Sequence, residues 1–281
     1  RAPTACPRGA RALEKHRPTR RPARLSSRRS ASRGRASEGR AHDGVDAMSS
    51  LAARFAGATA VLWDVDGTLA DSTSLGFTST NAVLVEAGLP TIDLAQYKTG
   101  TRYPTPQRMA WHAAGAPSDP VGASLGARFD EHYVRLVDTR TAGFYPGIAD
   151  LLRALHDRKG GAQAVLSNAC GAYARRVVDV NGARAFFKAT LGADDAPRPK
   201  PSPEGLLAIA KANGWDPGAC VNVGDSPSDG AAARAAGMMA LGCAWGAHEG
   251  DELRRGGGFD RVVATVAELR QTLLAEGCDD A

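Results

Sequence analysis

From about residue 60 to residue 275, short apolar runs alternate with amphipathic stretches. Ala60 to Trp63 is an apolar run of strand length, and it stops at Asp64-Val65-Asp66-Gly67. Side chains alternate between the two faces of a strand, so acids two positions apart share a face at its carboxyl end. A polar turn follows, Asp71-Ser72-Thr73-Ser74, and then about 70 residues that read as helical. Asn81 to Ala87 reads as a helix ended by Gly88, and Thr105 to Ala114 as a second after Pro104. Phe129, Tyr133, Leu136 and Val137 recur at the spacing of one face of a third. Phe144-Tyr145-Pro146-Gly147 marks a turn. Ile148, Leu151, Leu152 and Leu155 then define an amphipathic helix that Gly160-Gly161 terminates.

Beyond that point strands and helices alternate. Ala164 to Leu166 is an apolar strand ending at Ser167-Asn168, followed by a helix from about Ala172 to Asn181. Ala189 to Leu191 reads as a short strand, and Pro203 to Asn213 as a helix with Ser202 as its N-cap. Cys220 to Val223 is a strand ending at Gly224-Asp225, with Ser226 capping the next helix and Pro227 in its first position. Met238 to Cys243, a helix near Glu249 to Arg254, the strand Arg261 to Val263 and a helix from Thr265 to Ala275 complete the chain. Such alternation with short linkers predicts an α/β fold, a three-layer Rossmann-like parallel sheet covered on both faces. The all-helical block is an insert, dividing the chain into a core of residues 48–72 and 145–281 and a helical module of residues 73–144.

Composition adds one correction to this picture. The formal charge of +5 is concentrated in residues 1–47, which hold 12 Arg and 1 Lys against 4 acids. Residues 48–281 hold 22 basic and 26 acidic side chains, so the overall basicity gives no case for nucleic-acid binding by the folded body. The Arg-, Ala- and Ser-rich leader has too few large apolar residues to fold alone. Three readings of it stand open: an organelle transit peptide, an upstream extension ahead of a start at Met48, or a basic arm for RNA or an anionic surface. With no secretory apolar core and no apolar run of membrane-spanning length, an intracellular soluble protein is expected. It would be plastidic or mitochondrial if the leader is a transit peptide, and cytoplasmic otherwise. The five cysteines are widely spaced with no C-x-x-C pair, which indicates neither a zinc site nor a disulfide framework.

Three strands thus end in polar or acidic residues: Asp64 and Asp66, Ser167 and Asn168, Asp225 followed by Asp229. Ligands of open α/β sheets bind outside the carboxyl ends of the strands, so these ends converge on one pocket. The D-x-D start is not a calcium loop, because Gly67 and Ala70 are misplaced and Leu75 stands where the twelfth-position glutamate belongs. A fourth element, Arg198-Pro199-Lys200-Pro201-Ser202-Pro203, stiffens the chain around one lysine. D-x-D-G-T, a strand-ending Ser-Asn, K-P-x-P and G-D-S-x-x-D, in that order, resemble the haloacid dehalogenase superfamily. The resemblance is to its phosphoglycolate-phosphatase-like branch, with a helical cap between the first two motifs, and it spans about Ala60 to Ala275.

The resemblance implies a magnesium-dependent phosphatase for a small phosphorylated metabolite, with 2-phosphoglycolate the first compound to test. Asp64 would be the nucleophile, forming an aspartyl-phosphate, and Asp66 the general acid and base. Mg2+ would be held by the Asp64 and Asp225 carboxylates and the Asp66 carbonyl. Lys200 would hold Asp64 and the phosphoryl group, and Ser167 with the amides around Asn168 would bind phosphoryl oxygens. Ser167 could instead only cap the following helix. Asp229, three residues after Ser226, has capping-box spacing and is otherwise a supporting residue behind the metal site. Arg102 is the cap residue expected to grip a substrate carboxylate or second phosphate. Two alternatives remain, a β-phosphoglucomutase-like phosphoryl transfer on a sugar phosphate and a non-catalytic phosphate-binding module.

Overall fold

The apolar runs form strands β1 (Ala60–Trp63), β2 (Gln163–Leu166), β3 (Thr190–Leu191), β4 (Cys220–Gly224), β5 (Met239–Cys243) and β6 (Arg261–Val263). This computed structural model describes residues 50–275, so the expectations for residues 1–47, with Cys6 and Cys278, lie outside the described residues. All six strands are parallel, in the order β3-β2-β1-β4-β5-β6. Strand order reverses at β1, which lies between β2 and β4, and such a switch point is where open α/β sheets bind ligands. Trp63 pairs with Val165 on one side and Val223 on the other. That register brings Asp64, Ser167 and Asp225 out at the same edge of the sheet.

Side-chain alternation along β1 splits the core into two layers. Val61, Trp63 and Val65 pack with residues of α6 (Ile148–Arg158), α7 (Gly171–Val180) and α11 (Val266–Leu274). Ala60 and Leu62 pack with residues of α8 (Glu204–Asn213) and α9 (Pro227–Ala235). Helix α1 (residues 50–56) precedes β1, and α10 (Gly250–Gly256) lies between β5 and β6. Trp63 is fully buried and donates its indole N–H to Gln163 Oε1 at 3.2 Å. Trp63→Ala should therefore cost about 3–5 kcal/mol of stability, read as the midpoint of denaturant unfolding. A loss under about 1 kcal/mol would show the indole to be loosely held.

Between β1 and α6 stand four helices: α2 (Thr73–Glu86), α3 (Leu94–Gly100), α4 (Thr105–Ala114) and α5 (Val121–Arg135). Helix α4 packs closely on α5, where Gly122 leaves room for the Pro106 carbonyl; a Cβ there would lie 2.3 Å from that oxygen. The block leaves and returns side by side, with the Asp71 amide donating to Gly143 O and the Tyr145 amide to Leu69 O, both at 2.9 Å.

Several element boundaries differ from the sequence reading. Helix α2 starts at Thr73, eight residues before the expected Asn81. Its buried face mixes Leu75, Val83 and Leu84 with Gly76, Ser79 and Thr80, which interrupts the apolar stripe, and Thr78 and Thr80 donate hydroxyls to the carbonyls four residues back. Helix α3 was not anticipated, although Asp93 and Gln96 form a capping box that opens it. Helix α5 ends at Arg135, leaving Leu136 42% exposed, so the stripe is Leu125, Phe129 and Tyr133. Helix α8 begins one residue late, with Pro203 rather than Ser202 at the N-cap position.

Candidate active site

The carboxyl ends of β1, β2 and β4 close around one cavity of about 80 Å³. Asp64, Asp66, Ser167, Asn168, Lys200, Asp225 and Asp229 all line it, although they come from segments as much as 165 residues apart. Arg102 does not. It is exposed and donates Nε to the Thr99 carbonyl at 2.7 Å, while Arg108, on the first turns of α4, lines the cavity. Helix α3 and the turn after it aim the two arginines differently.

Lys200 is the hub of the site. It is 1% exposed, and its ammonium donates to Asp64 Oδ1 at 2.6 Å, Asp229 Oδ1 at 2.6 Å and the Leu166 carbonyl at 2.8 Å. Three donors meet three acceptors, so the group is fully satisfied and ties β1, β2 and α9 together. Burial opposes its charge, but Asp229 and Asp64 outweigh that and hold its pKa above the usual lysine range. Asn168 fastens the main chain of this lysine, accepting from its N–H and donating to its carbonyl, both at 2.9 Å. The Asn168 side chain is thus a brace for Lys200.

Ser167 Oγ accepts from the Ala169 amide at 3.0 Å, which leaves its hydroxyl proton to donate into the cavity. Asp229 has two tasks. Besides binding Lys200 it accepts from the Ser226 amide at 3.1 Å, closing the capping box of α9. Thr68 is buried with its Oγ1 3.5 Å from Asp64 Oδ2.

Asp225 sits in a cradle made by backbone. Its Oδ2 accepts from the Ala247 amide at 2.6 Å, and a Cβ at either Gly67 or Gly246 would lie 2.1 Å from that oxygen. Only glycine fits at both walls; Gly67 also has φ of +76°. Gly246 and Ala247 lie in the loop after β5, a fourth strand end that the sequence reading did not connect to the site. Ligating oxygens of Asp64, Asp225 and Asp229 fall within 4.8 Å of one another. Burial and then the neighbouring Asp64 and Asp229 charges push the Asp225 carboxyl well above the carboxylate range. Burial, partly offset by Lys200, pushes that of Asp64 up to about 7. Counting Asp66, four carboxylates face two cations, Lys200 and Arg108, a deficit that suits a hard divalent ion among oxygen ligands. The donor set therefore fits a divalent cation.

Two further side chains come from outside the motifs. Tyr133 of α5 and Tyr173 of α7 stack face to face, with ring centres 3.9 Å apart and planes 12° from parallel. Both hydroxyls donate to Asp66 Oδ1 at 2.6 Å, and the Ser72 hydroxyl donates to the same oxygen. Sequence periodicity marked Tyr133 as a core residue, which it is; no local spacing shows that its hydroxyl reaches an acid 67 positions away.

Known proteins match this arrangement. Residues 61–243 match the family described as haloacid dehalogenase-like hydrolase. Phosphoglycolate phosphatase of Xanthomonas campestris pv. campestris is 33% identical over 197 residues, covering 69% of this chain and 86% of that protein. Phosphoglycolate phosphatase of Chromobacterium violaceum is 33% identical over 222 residues, 75% of this chain and 94% of that protein. Among solved structures, CbbY of Rhodobacter sphaeroides in complex with xylulose-(1,5)bisphosphate superposes with a TM-score of 0.64 at 26% identity, covering 75% of this chain and 96% of that one. The chain belongs to the haloacid dehalogenase-like hydrolase family, among its phosphoric monoester hydrolases.

Proposed function

We propose that this chain is a magnesium-dependent phosphatase that hydrolyses a small phosphorylated metabolite through an aspartyl-phosphate on Asp64, with 2-phosphoglycolate the first substrate to test. The observation that carries the reading is the buried Lys200 ammonium 2.6 Å from both Asp64 and Asp229, at the strand ends where Asp225 completes an acidic cluster. A lone structural ion pair would need neither the extra acids nor the glycine cradle. The Asp64 and Asp225 carboxylates and the Asp66 carbonyl would hold the ion. Bound there, Mg2+ supplies positive charge against the phosphoryl oxygens, without which an anionic ester repels a carboxylate.

The chemistry then follows from the residues. An Asp64 oxygen bonds to phosphorus while the ester P–O bond breaks, and its electron pair leaves on the ester oxygen. Asp66 gives that oxygen a proton. A water then attacks the phosphorus, Asp66 takes its proton, and the bond from phosphorus to Asp64 breaks to release phosphate. Lys200 has all three protons engaged, so it acts on the phosphoryl group by charge and by holding Asp64 in place. Ser167 donates its free hydroxyl proton to a phosphoryl oxygen, and the main chain at Asn168 lies beside it.

Residues 73–144 act as a cap over the core of residues 48–72 and 145–281, a reading supported by Tyr97, Thr101, Tyr103, Thr105 and Arg108 facing the cavity from α3, α4 and the turn between them. The cavity is about 80 Å³, a size in keeping with a compact substrate. Arg108 replaces Arg102 as the reader of the substrate's far end. Its guanidinium carbon lies 4.5 Å from the centre of the Phe129 ring, and its Nε is buried with no hydrogen-bond partner. A buried donor left unsatisfied favours an acceptor brought by the ligand. Arg108→Ala should raise KM for 2-phosphoglycolate roughly 10- to 100-fold, the worth of a charged hydrogen bond, and change KM for ethyl phosphate far less. Equal losses on both esters would remove Arg108 from carboxylate recognition. The function itself is tested by a phosphate-release screen over phosphorylated metabolites with and without Mg2+. Release that needs the metal supports it, and no release from any small phosphomonoester contradicts it.

A further inference from the structure

Asp66 carries an unusual load. One of its oxygens, Oδ1, accepts from three hydroxyls at once, those of Tyr133, Tyr173 and Ser72. A carboxylate oxygen offers two lone pairs, so three donors saturate it and leave Oδ2 as the oxygen free to carry a proton. Both tyrosines are almost completely buried and their rings are stacked, so neither hydroxyl can swing away without breaking the stack. Phenols are protonated near neutral pH, so both hydroxyls are donors to the carboxylate. Tyr133 belongs to the inserted block and Tyr173 to the helix after β2, so the contact spans two separate parts of the fold.

We infer that Tyr133 and Tyr173 are positioning residues for the acid–base step: their stacked hydroxyls anchor Asp66 Oδ1 and so fix Oδ2 as the atom that gives its proton to the departing ester oxygen. The anchoring is complete only when α5 is seated on α7, because half of the pair rides on α5. In the step concerned, the P–O bond breaks, the ester oxygen leaves with the electron pair, and the proton on Asp66 Oδ2 passes to it. An alkoxide leaves poorly without that proton. A nitrophenolate leaves without it and needs no aimed acid.

The inference rests on the reading of Asp66 as the general acid, and leaving-group dependence separates the two. kcat/KM is measured on the full chain with Mg2+ across phosphate monoesters running from p-nitrophenyl phosphate to 2-phosphoglycolate and simple alkyl phosphates. The proteins are the parent, Tyr133→Phe, Tyr173→Phe, the double variant, Ser72→Ala and Asp66→Asn. Phenylalanine keeps the stacked rings and removes only the hydroxyl, and thermal melting checks each fold. In the double variant the ratio of alkyl to aryl kcat/KM should fall about tenfold or more, since general acid catalysis is worth roughly 10²–10⁴ and misaiming forfeits part of it. Asp66→Asn should lower the ratio at least as far. A ratio unchanged in the double variant while Asp66→Asn collapses it would overturn the positioning role and leave the phosphatase reading intact. A ratio unchanged in Asp66→Asn would overturn both. Equal losses on aryl and alkyl esters in the tyrosine variants would mark the pair as structural only. If the double variant melts early, the single variants and Ser72→Ala, which leaves both rings untouched, are read by the same ratio.

Discussion

Asp64→Asn should eliminate phosphate release, by about 10⁴-fold or more, and leave the fold in place. The substitution is nearly isosteric, so the β1 end and its amide contact to the Val223 carbonyl at 2.9 Å are retained. What is lost is the nucleophile, because an amide oxygen cannot form the acyl-phosphate that divides one hard displacement into two. An ionic partner is lost as well. Lys200 keeps Asp229 at 2.6 Å and the Leu166 carbonyl at 2.8 Å, so its charge stays compensated. Phosphate release and near-ultraviolet circular dichroism on the same preparation separate chemistry from folding. Release within tenfold of the parent would remove Asp64 from the nucleophile role.

In chelator, the protein should lose stability as pH rises, and Mg2+ should restore it. Burial lifts the Asp64 carboxyl to about 7 and pushes that of Asp225 well above the carboxylate range, against about 3.9 in an unfolded chain. A group whose folded pKa is raised contributes stability that is fully present below its unfolded pKa and is lost as pH rises through the folded one. The window for Asp64 therefore runs from about pH 4 to about pH 7, and Asp225 acts in the same direction. Three units correspond to about 4 kcal/mol for Asp64, on the order of ten degrees in Tm for a domain of this size. Mg2+ favours the ionised forms, so its stabilising increment should be larger at pH 8 than at pH 5. Asp225→Asn should flatten the chelator curve and shrink the Mg2+ increment. Differential scanning calorimetry measures all of this, and a flat Tm in chelator between pH 4 and pH 8 would contradict the electrostatic picture.

The parts of this protein readable from sequence are those in which one local signal determines the element. Strand β6, helix α4 and helix α6 fall where the apolar run, Pro104 and the Ile148 stripe place them. The acids Asp64 and Asp225 are legible because each stands at the carboxyl end of a strand-length run, and a parallel sheet must bring such ends together. Helix α2 runs further than its apolar pattern indicates because Gly76, Ser79 and Thr80 interrupt the buried face between Leu75 and Val83. Arg102 and Arg108 could not be separated by spacing, since their directions depend on how α3 and α4 turn. Tyr173 and Gly246 are the harder cases. The first meets Asp66 across 107 positions through a hydroxyl, and the second matters for the side chain it lacks. Neither contact has any periodicity, so only the fold reveals it.

The central claim is that Asp64 carries the phosphoryl group between substrate and water. The most direct test is to quench the full chain in acid during turnover of 2-phosphoglycolate with Mg2+, or of whichever phosphomonoester it hydrolyses, and locate the bound phosphoryl group by peptide mass spectrometry. The expected result is a phosphoryl group on Asp64, absent when Mg2+ is withheld. A phosphoryl group on another side chain would contradict the claim, as would steady turnover in the Asp64→Asn protein.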